Sequence, residues 1–201
     1  MILLTCAVGR ELAFFTPVPH VEMLVTGVGP IEAGISVARA LAQSPYALVV
    51  NAGLGGALEG CGDIGDGVVI SEDRMEIGLE GGKPFILPDS APIIDRASSD
   101  LALVEQLVEL GYAGKRGITV ARVTTTQQTA QRLASFNAEV ESMEGFAVLR
   151  AAEMAGIPAI EVRGISNIVT DRERSGWSFE RGCEGLEKIL NDLLAIVPAE
   201  P

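Results

Sequence analysis

Short runs of branched aliphatic residues alternate along this chain with longer stretches of helical periodicity, and that alternation restricts the fold more than any other feature. The runs Ile2–Val8, Met23–Thr26, Leu48–Val50, Val68–Ile70, Ile118–Val123 and Ala159–Val162 are too short and too β-branched for helices, and read as buried strands. Between them, Ile31–Gln43 sets Ile31, Ile35, Ala38 and Leu41 on one face, and Asp100–Leu110, Thr129–Ser135, Met143–Ala155 and Phe179–Ile196 carry similar helical patterns. Strands interleaved with helices specify an α/β fold. Pro30 stands where a first helical turn tolerates proline, and Gly111 and Gly156 stand where left-handed helix caps belong. No repeat or linker divides the 201 residues, so one domain is expected over 1–201. The polar, glycine-rich stretch Glu72–Ser90 is expected to form a long excursion or hairpin.

Composition narrows the function. A 48% hydrophobic content supplies a sizeable core. No apolar stretch approaches the about 20 residues needed to cross a bilayer, which argues against a membrane protein. The start, MILLTCAVGREL, lacks a positively charged leader and a small-residue cleavage site, and reads as a first strand instead of a signal peptide. Three cysteines, Cys6, Cys61 and Cys183, are odd in number and far apart, which suits a reducing, cytoplasmic compartment. With His20 as the single histidine and no CxxC pair, the usual zinc ligands are missing, and no metal or organic cofactor is implied. A net charge of −12 argues against nucleic acid and for a small molecule or a protein partner.

Three segments carry candidate chemistry. Asn51-Ala52-Gly53-Leu54-Gly55-Gly56-Ala57-Leu58 follows a strand and reads as a glycine-rich turn, where backbone N–H groups can approach a ligand or the chain can simply pack tightly. It lacks the GxGxxG dinucleotide spacing. Gly27-Val28-Gly29-Pro30 opens a helix whose N-terminus offers free donors. Val140-Glu141-Ser142-Met143-Glu144-Gly145-Phe146-Ala147 and Arg163-Gly164-Ile165-Ser166-Asn167 bring Met143, Glu144 and Asn167 to the ends of adjacent elements, where open α/β folds place ligands. An acidic first turn and an asparagine after a strand are also ordinary dipole complementarity and turn chemistry.

These blocks, taken in order with Glu11 and Gly62-Asp63-Ile64-Gly65-Asp66-Gly67-Val68-Val69, resemble the purine nucleoside phosphorylase/nucleosidase superfamily, which includes the methylthioadenosine/adenosylhomocysteine nucleosidases. The resemblance implies a three-layer α/β fold with a central mixed, twisted sheet flanked by helices. It also implies a small-molecule nucleoside substrate and a homo-oligomer, dimer or higher. Glu11 would orient the attacking water, Glu144 would accept from the ribose hydroxyls and Met143 would lie under the sugar. Where adenosine-type nucleosidases carry an aspartic acid, this sequence has Asn167, whose amide can donate to a carbonyl and accept from a ring N–H, which suits a 6-oxopurine. The Glu141–Gly145 block and Ser166–Trp177 resemble the futalosine hydrolase branch, which implies hydrolysis of futalosine to hypoxanthine and dehypoxanthine futalosine within menaquinone biosynthesis. There Trp177, with Arg172 or Arg174, would receive the carboxylated aromatic 5′ group. Gly53 and Leu54 stand where phosphorylases have Gly-Ser; leucine brings no donor for phosphate, which leaves Arg10 as the residue that keeps phosphorolysis of inosine-like nucleosides in view. Thr124 falls in the base-pocket loop, without the phenylalanine that stacks on the base in the nucleosidases. His20 reads as a surface residue or as one facing a neighbouring subunit's site. A non-catalytic nucleoside-binding protein is the alternative of a different class.

Overall fold

The computed structural model describes residues 1–77 and 93–197. The strands among these residues are β1 (Ile2–Cys6), β2 (Val21–Val25), β3 (Leu48–Ala57), β4 (Gly67–Met75), β5 (Arg96–Ser98), β6 (Ala113–Thr119), β7 (Val140–Ser142) and β8 (Ala159–Ile168). The helices are α1 (Pro30–Gln43), α2 (Leu101–Glu109), α3 (Gln127–Ala134), α4 (Gly145–Ala155) and α5 (Phe179–Ile196). Short 3-10 turns cover Gly9–Leu12 and Arg172–Arg174.

All the strands among the described residues join one mixed sheet, and it is flanked by helices on two faces as the family resemblance implies. Alternation within β1 shows how the sequence builds the layers. Ile2, Leu4 and Cys6 enter the core beneath α5 and α2, whereas Leu3 enters the core beneath α1 and α4. On α5, Leu186, Ile189, Leu190 and Leu193 are fully buried, each contributing about 1.5–3 kcal/mol by burial. Glycine lets α5 come that close: a Cβ on Gly164 would collide with the Gly182 carbonyl and sit 2.8 Å from Leu186 N.

The sheet is more than a flat platform. β1 runs parallel between β2 and β3, while β3 pairs with β8, β8 with β4, β4 with β6, β6 with β7, and β7 returns to β3. These last five strands close a ring whose interior is filled by Ala57, Val68, Ile70, Val140 and Ile165.

Several sequence expectations need correction. Asn51–Ala57 is the second half of β3, not a turn, because β8 and β7 pair with it on both sides. The sixth strand is Ala113–Thr119, earlier than Ile118–Val123; its Gly-Lys-Arg-Gly start is held by register with β4, a tertiary effect that overrides weak local propensity. β5 and β7 are short strands that the sequence did not announce. Glu72–Met75 belongs to β4, and residues 78–90 of the expected excursion lie outside the described residues. Gly156 caps α4 at φ +69°, and Gly111, one residue beyond the C-cap of α2, has φ +98°.

Candidate active site

A cavity of about 330 Å³ opens where β3, β7 and β8 end and where α1 and α4 begin. Glu11 and Val8 form one wall, Leu54, Gly55 and Gly56 the floor, and Ser142, Met143 and Glu144 a second wall. Val123, Thr124, Glu141, Ser166 and Asn167 line the third, and Arg172, Ser175 and Trp177 lie at the mouth. Residues from separate parts of the chain therefore converge on one space, as strand termini of α/β folds allow.

Glu11 is buried and gripped at both oxygens: Leu54 N–H donates to Oε1 at 3.0 Å and Val8 N–H to Oε2 at 3.0 Å. The Leu54 backbone donor is thus already engaged. Glu144 stands at the N-cap of α4 but reaches across to α1, where Gly29 N–H donates to its Oε1 at 2.8 Å. Gly29 holds φ +97°, a conformation glycine adopts without strain, and so directs its amide at the carboxylate. Met143 lies in the joint between β7 and α4, two residues before the helix begins.

The charge centre of the site is Arg163, only 1% exposed on β8. Its Nε donates to Glu161 Oε1 at 2.8 Å, its Nη1 lies 3.9 Å from Glu144 Oε2, and Nη1 donates to the Leu54 carbonyl at 3.4 Å. Burial opposes its charge, but Glu161, Glu144 and Glu11 outweigh burial and favour the charged guanidinium. Gly53 sits behind this group, where an added Cβ would come 2.6 Å from Arg163 Nη1 and 3.2 Å from Glu11 Oε1. Burial likewise pushes the Glu144 carboxyl above its ordinary value, with Arg163 and the Gly29 amide opposing.

Beside Glu161 lies a further buried acid, Asp73, on β4. Thr119 Oγ1 donates to its Oδ1 at 2.7 Å, and burial beside Glu161 pushes its carboxyl well above the usual range. Asp73 Oδ2, both Glu161 oxygens and the position of a missing Gly145 Cβ crowd one small space. A glycine follows Glu144 because nothing larger fits between these carboxylates.

Of the residues singled out from sequence, Glu11, Leu54, Thr124, Met143, Glu144, Asn167, Arg172 and Trp177 line the cavity, and Gly53 backs it. Arg10 does not reach it: its guanidinium carbon lies 4.8 Å over the Phe179 ring. Arg174 is exposed and His20 lies in the turn before β2, neither on the cavity wall. Arg163, Glu161, Asp73 and Glu141 escaped the sequence reading. A signal existed in Ala159–Val162 and its continuation, where Glu161 and Arg163 alternate with buried Ile160 and Val162. Two opposite charges at period two in an apolar strand mark a buried ion pair.

The family model of the phosphorylase superfamily matches residues 10–195, and the chain belongs to that superfamily. Futalosine hydrolase of Streptomyces coelicolor is 31% identical over 193 residues, spanning 88% of this chain and 79% of that protein. Futalosine hydrolase of Acidothermus cellulolyticus is 35% identical over 176 residues, spanning 83% and 72%. The native structure of futalosine hydrolase of Helicobacter pylori shares the fold at a TM-score of 0.82 and 16% identity, covering 98% of this chain and 97% of that one. The chain is accordingly an enzyme that hydrolyses the N-glycosidic bond of a nucleoside. No helix among the described residues is long and apolar enough to cross a membrane.

Proposed function

We propose that the substrate is futalosine, cleaved to hypoxanthine and dehypoxanthine futalosine, and that the enzyme serves menaquinone biosynthesis in the cytoplasm. The observation that carries this reading is the convergence of Glu11, Met143, Glu144, Asn167, Arg172 and Trp177 on one cavity, in a chain 31% and 35% identical to futalosine hydrolases. Cleavage is dissociative. The C1′–N9 bond lengthens first, giving an oxocarbenium-like sugar, and negative charge developing on the base is received by hydrogen bonds from Asn167. Glu144 keeps lone pairs free for the ribose hydroxyls, and the Met143 thioether packs under the sugar. Glu11 takes a proton from the water that captures C1′ and returns it to solvent, while the departing hypoxanthine anion takes up a proton from solvent, so that one water is consumed and the base leaves neutral.

The 5′ extension of futalosine is an apolar aromatic ketone ending in a carboxylate, and Trp177 and Arg172 at the mouth match it in chemistry. Trp177 is 59% exposed, which leaves its ring face available. Phosphorolysis loses support, since Arg10 lies on Phe179 and the Leu54 amide is held by Glu11. A homo-oligomer is favoured by the exposed apolar residues Val25, Val28, Ile31 and Ile35, which follow one another from β2 into α1. The test is to incubate purified protein with futalosine, inosine and methylthioadenosine, with and without phosphate, and follow free base. Hypoxanthine from futalosine without phosphate is expected. Adenine release from methylthioadenosine alone, or dependence on phosphate, would overturn the reading.

A further inference from the structure

Asp73 and Glu161 are buried acids to which the reaction above gives no task. Asp73 Oδ2 and Glu161 Oε2 have no hydrogen-bond partner among the described residues. The two oxygens meet at one point: the vacant Cβ position of Gly145 lies 2.6 Å from Glu161 Oε2 and in contact with Asp73 Oδ2. Ionised carboxylates so placed repel each other, and each buried acceptor without a donor costs the folded chain stability. One proton between the two oxygens removes both penalties.

Their surroundings decide which acid carries it. Glu161 Oε1 accepts from Arg163 Nε at 2.8 Å, a charge-assisted bond that keeps Glu161 ionised. Asp73 instead accepts from a neutral hydroxyl. Phe146 N–H donates to Thr119 Oγ1 at 2.8 Å, so the one hydroxyl proton of Thr119 goes to Asp73 Oδ1, at 2.7 Å, and Oδ2 is left to bear the acid proton. Burial and the charge of Glu161 push the Asp73 carboxyl upward, in the same sense. The other elements against Asp73 bring no titratable group to it: Ala97 of β5 and Gly117 of β6 are its partners in register, and α4 presents Gly145 and Phe146. Beyond the pair stand Arg163 and, around it, Glu144 and Glu11.

We propose that Asp73 is a positioning residue of the active site, which donates from Oδ2 to Glu161 Oε2 and through that bond fixes where Arg163 sits against Glu144. The assignment rests on the reading that Glu144 and Glu11 act on the sugar and on the attacking water. With Asp73 in place, Glu161 keeps its full charge on Arg163 Nε, and Nη1 stays 3.9 Å from Glu144 Oε2. Without the Asp73 donor, the proton passes to Glu161 itself, and Arg163 loses the partner that holds it on β8. The guanidinium then turns to the remaining carboxylates, Glu144 and Glu11, and occupies lone pairs that the ribose hydroxyls and the water require. Asp73 touches no reacting atom, and its effect reaches the sugar through two other side chains.

Two variants and one spectrum test this. Asp73→Asn keeps an oxygen for Thr119 and a donor for Glu161, whereas Asp73→Ala keeps neither. The infrared difference spectrum of wild type minus Asp73→Asn, recorded at neutral pH without substrate, is expected to show the carbonyl band of a buried carboxylic acid, the other acids cancelling. With futalosine as substrate, Asp73→Ala is expected to lose at least about tenfold in kcat, and Asp73→Asn to stay within about threefold of wild type. A purely structural role would lower the melting temperature and leave the kcat of the folded fraction unchanged. No carboxylic acid band in the difference spectrum overturns the proposal. So does a folded Asp73→Ala with wild-type kcat, or an Asp73→Asn as impaired as Asp73→Ala. If Asp73→Ala does not fold, Glu161→Gln replaces it: the amide keeps the volume and accepts from Asp73 but withdraws the charge from Arg163, and a kcat within about threefold of wild type then overturns the proposal. A wild type that releases no base from futalosine, inosine or methylthioadenosine overturns the functional reading and the role of Asp73 in it, while a wild type that turns over with no effect of either Asp73 variant overturns the role of Asp73 alone.

Discussion

Substituting Gly145 by alanine sets two physical effects against each other. Gly145 is the first residue of α4 and carries no positive φ, so helix propensity alone favours alanine by up to about 1 kcal/mol. Packing says the reverse. The new methyl would come 2.5 Å from Glu161 Oε1 and 2.6 Å from Oε2, and would press on Asp73 Oδ2 as well. These atoms are not the loose ends of surface chains. Glu161 is tied to Arg163 at 2.8 Å and Asp73 to Thr119 at 2.7 Å, all of them buried. Forcing such a site apart costs about 1–3 kcal/mol by overpacking, and breaking the buried pair raises this to about 3–5 kcal/mol. A net loss of about 3 kcal/mol lowers the melting temperature by roughly 6–12 °C in a chain of this length. The matched control is Gly34→Ala in α1, where the added Cβ meets Ala147 Cβ at an ordinary 3.6 Å, so propensity acts unopposed and the melt rises by a few degrees, about 1–4 °C. Differential scanning calorimetry of the two variants reads both signs. Displacement of Glu161 also moves Arg163, so the Gly145→Ala enzyme is expected to lose kcat on a nucleoside substrate. A Gly145→Ala melt at or above that of the wild type would refute the claim that this glycine makes room for the buried acids.

Asp73→Asn keeps an oxygen for Thr119 and places an NH2 group near Glu161. Because the folded state raises the Asp73 carboxyl well above its unfolded value, the native protein holds a proton that the unfolded chain releases above about pH 4, and stability falls as pH rises through that window. Melts between about pH 5 and 8 should therefore slope downward less steeply in Asp73→Asn than in the wild type; equal slopes would place the proton elsewhere. Glu11→Gln should reduce hypoxanthine release by about 10²–10⁴-fold with the fold intact, as measured in stopped-time assays; near-wild-type turnover would remove Glu11 as the base. Arg10→Ala should leave turnover, and its indifference to phosphate, within about twofold of wild type, because an exposed side chain lying over Phe179 is remote from the reacting atoms.

The layered architecture was legible because the strands of the inner layer are apolar on both faces and the helices between them keep a helical period. Ile2–Cys6 and Phe179–Ile196 are cases where pattern and structure coincide. The C-terminal half of β3 was not legible. Asn51-Ala52-Gly53-Leu54-Gly55-Gly56 has the composition of a turn, and only pairing with β7 and β8, far away in sequence, makes it a strand. Its glycines serve the site instead of a bend: Gly53 leaves room for Arg163, and Gly56 for the amide of Asn167. The cavity-lining residues Glu11, Met143, Glu144 and Asn167 were found through family likeness, whereas Arg163 and Glu161 were passed over because charges in a strand are usually read as its solvent face. Here that face lies under α4.

The closed ring of β3, β8, β4, β6 and β7 also dictates an order of assembly. As the chain is synthesised, β3 emerges early, yet both neighbours of its second half arrive only with residues 140–142 and 159–168. Until β8 is made, β3 and β4 each present an open edge, the surface through which unfinished chains pair with one another. Closure comes through contacts between residues about 100 apart, which is slow in comparison with local helix formation. The strand that completes the barrel is also the one that carries Glu161, Arg163 and Asn167, so a nascent chain cannot acquire the active site before it has acquired the closed sheet.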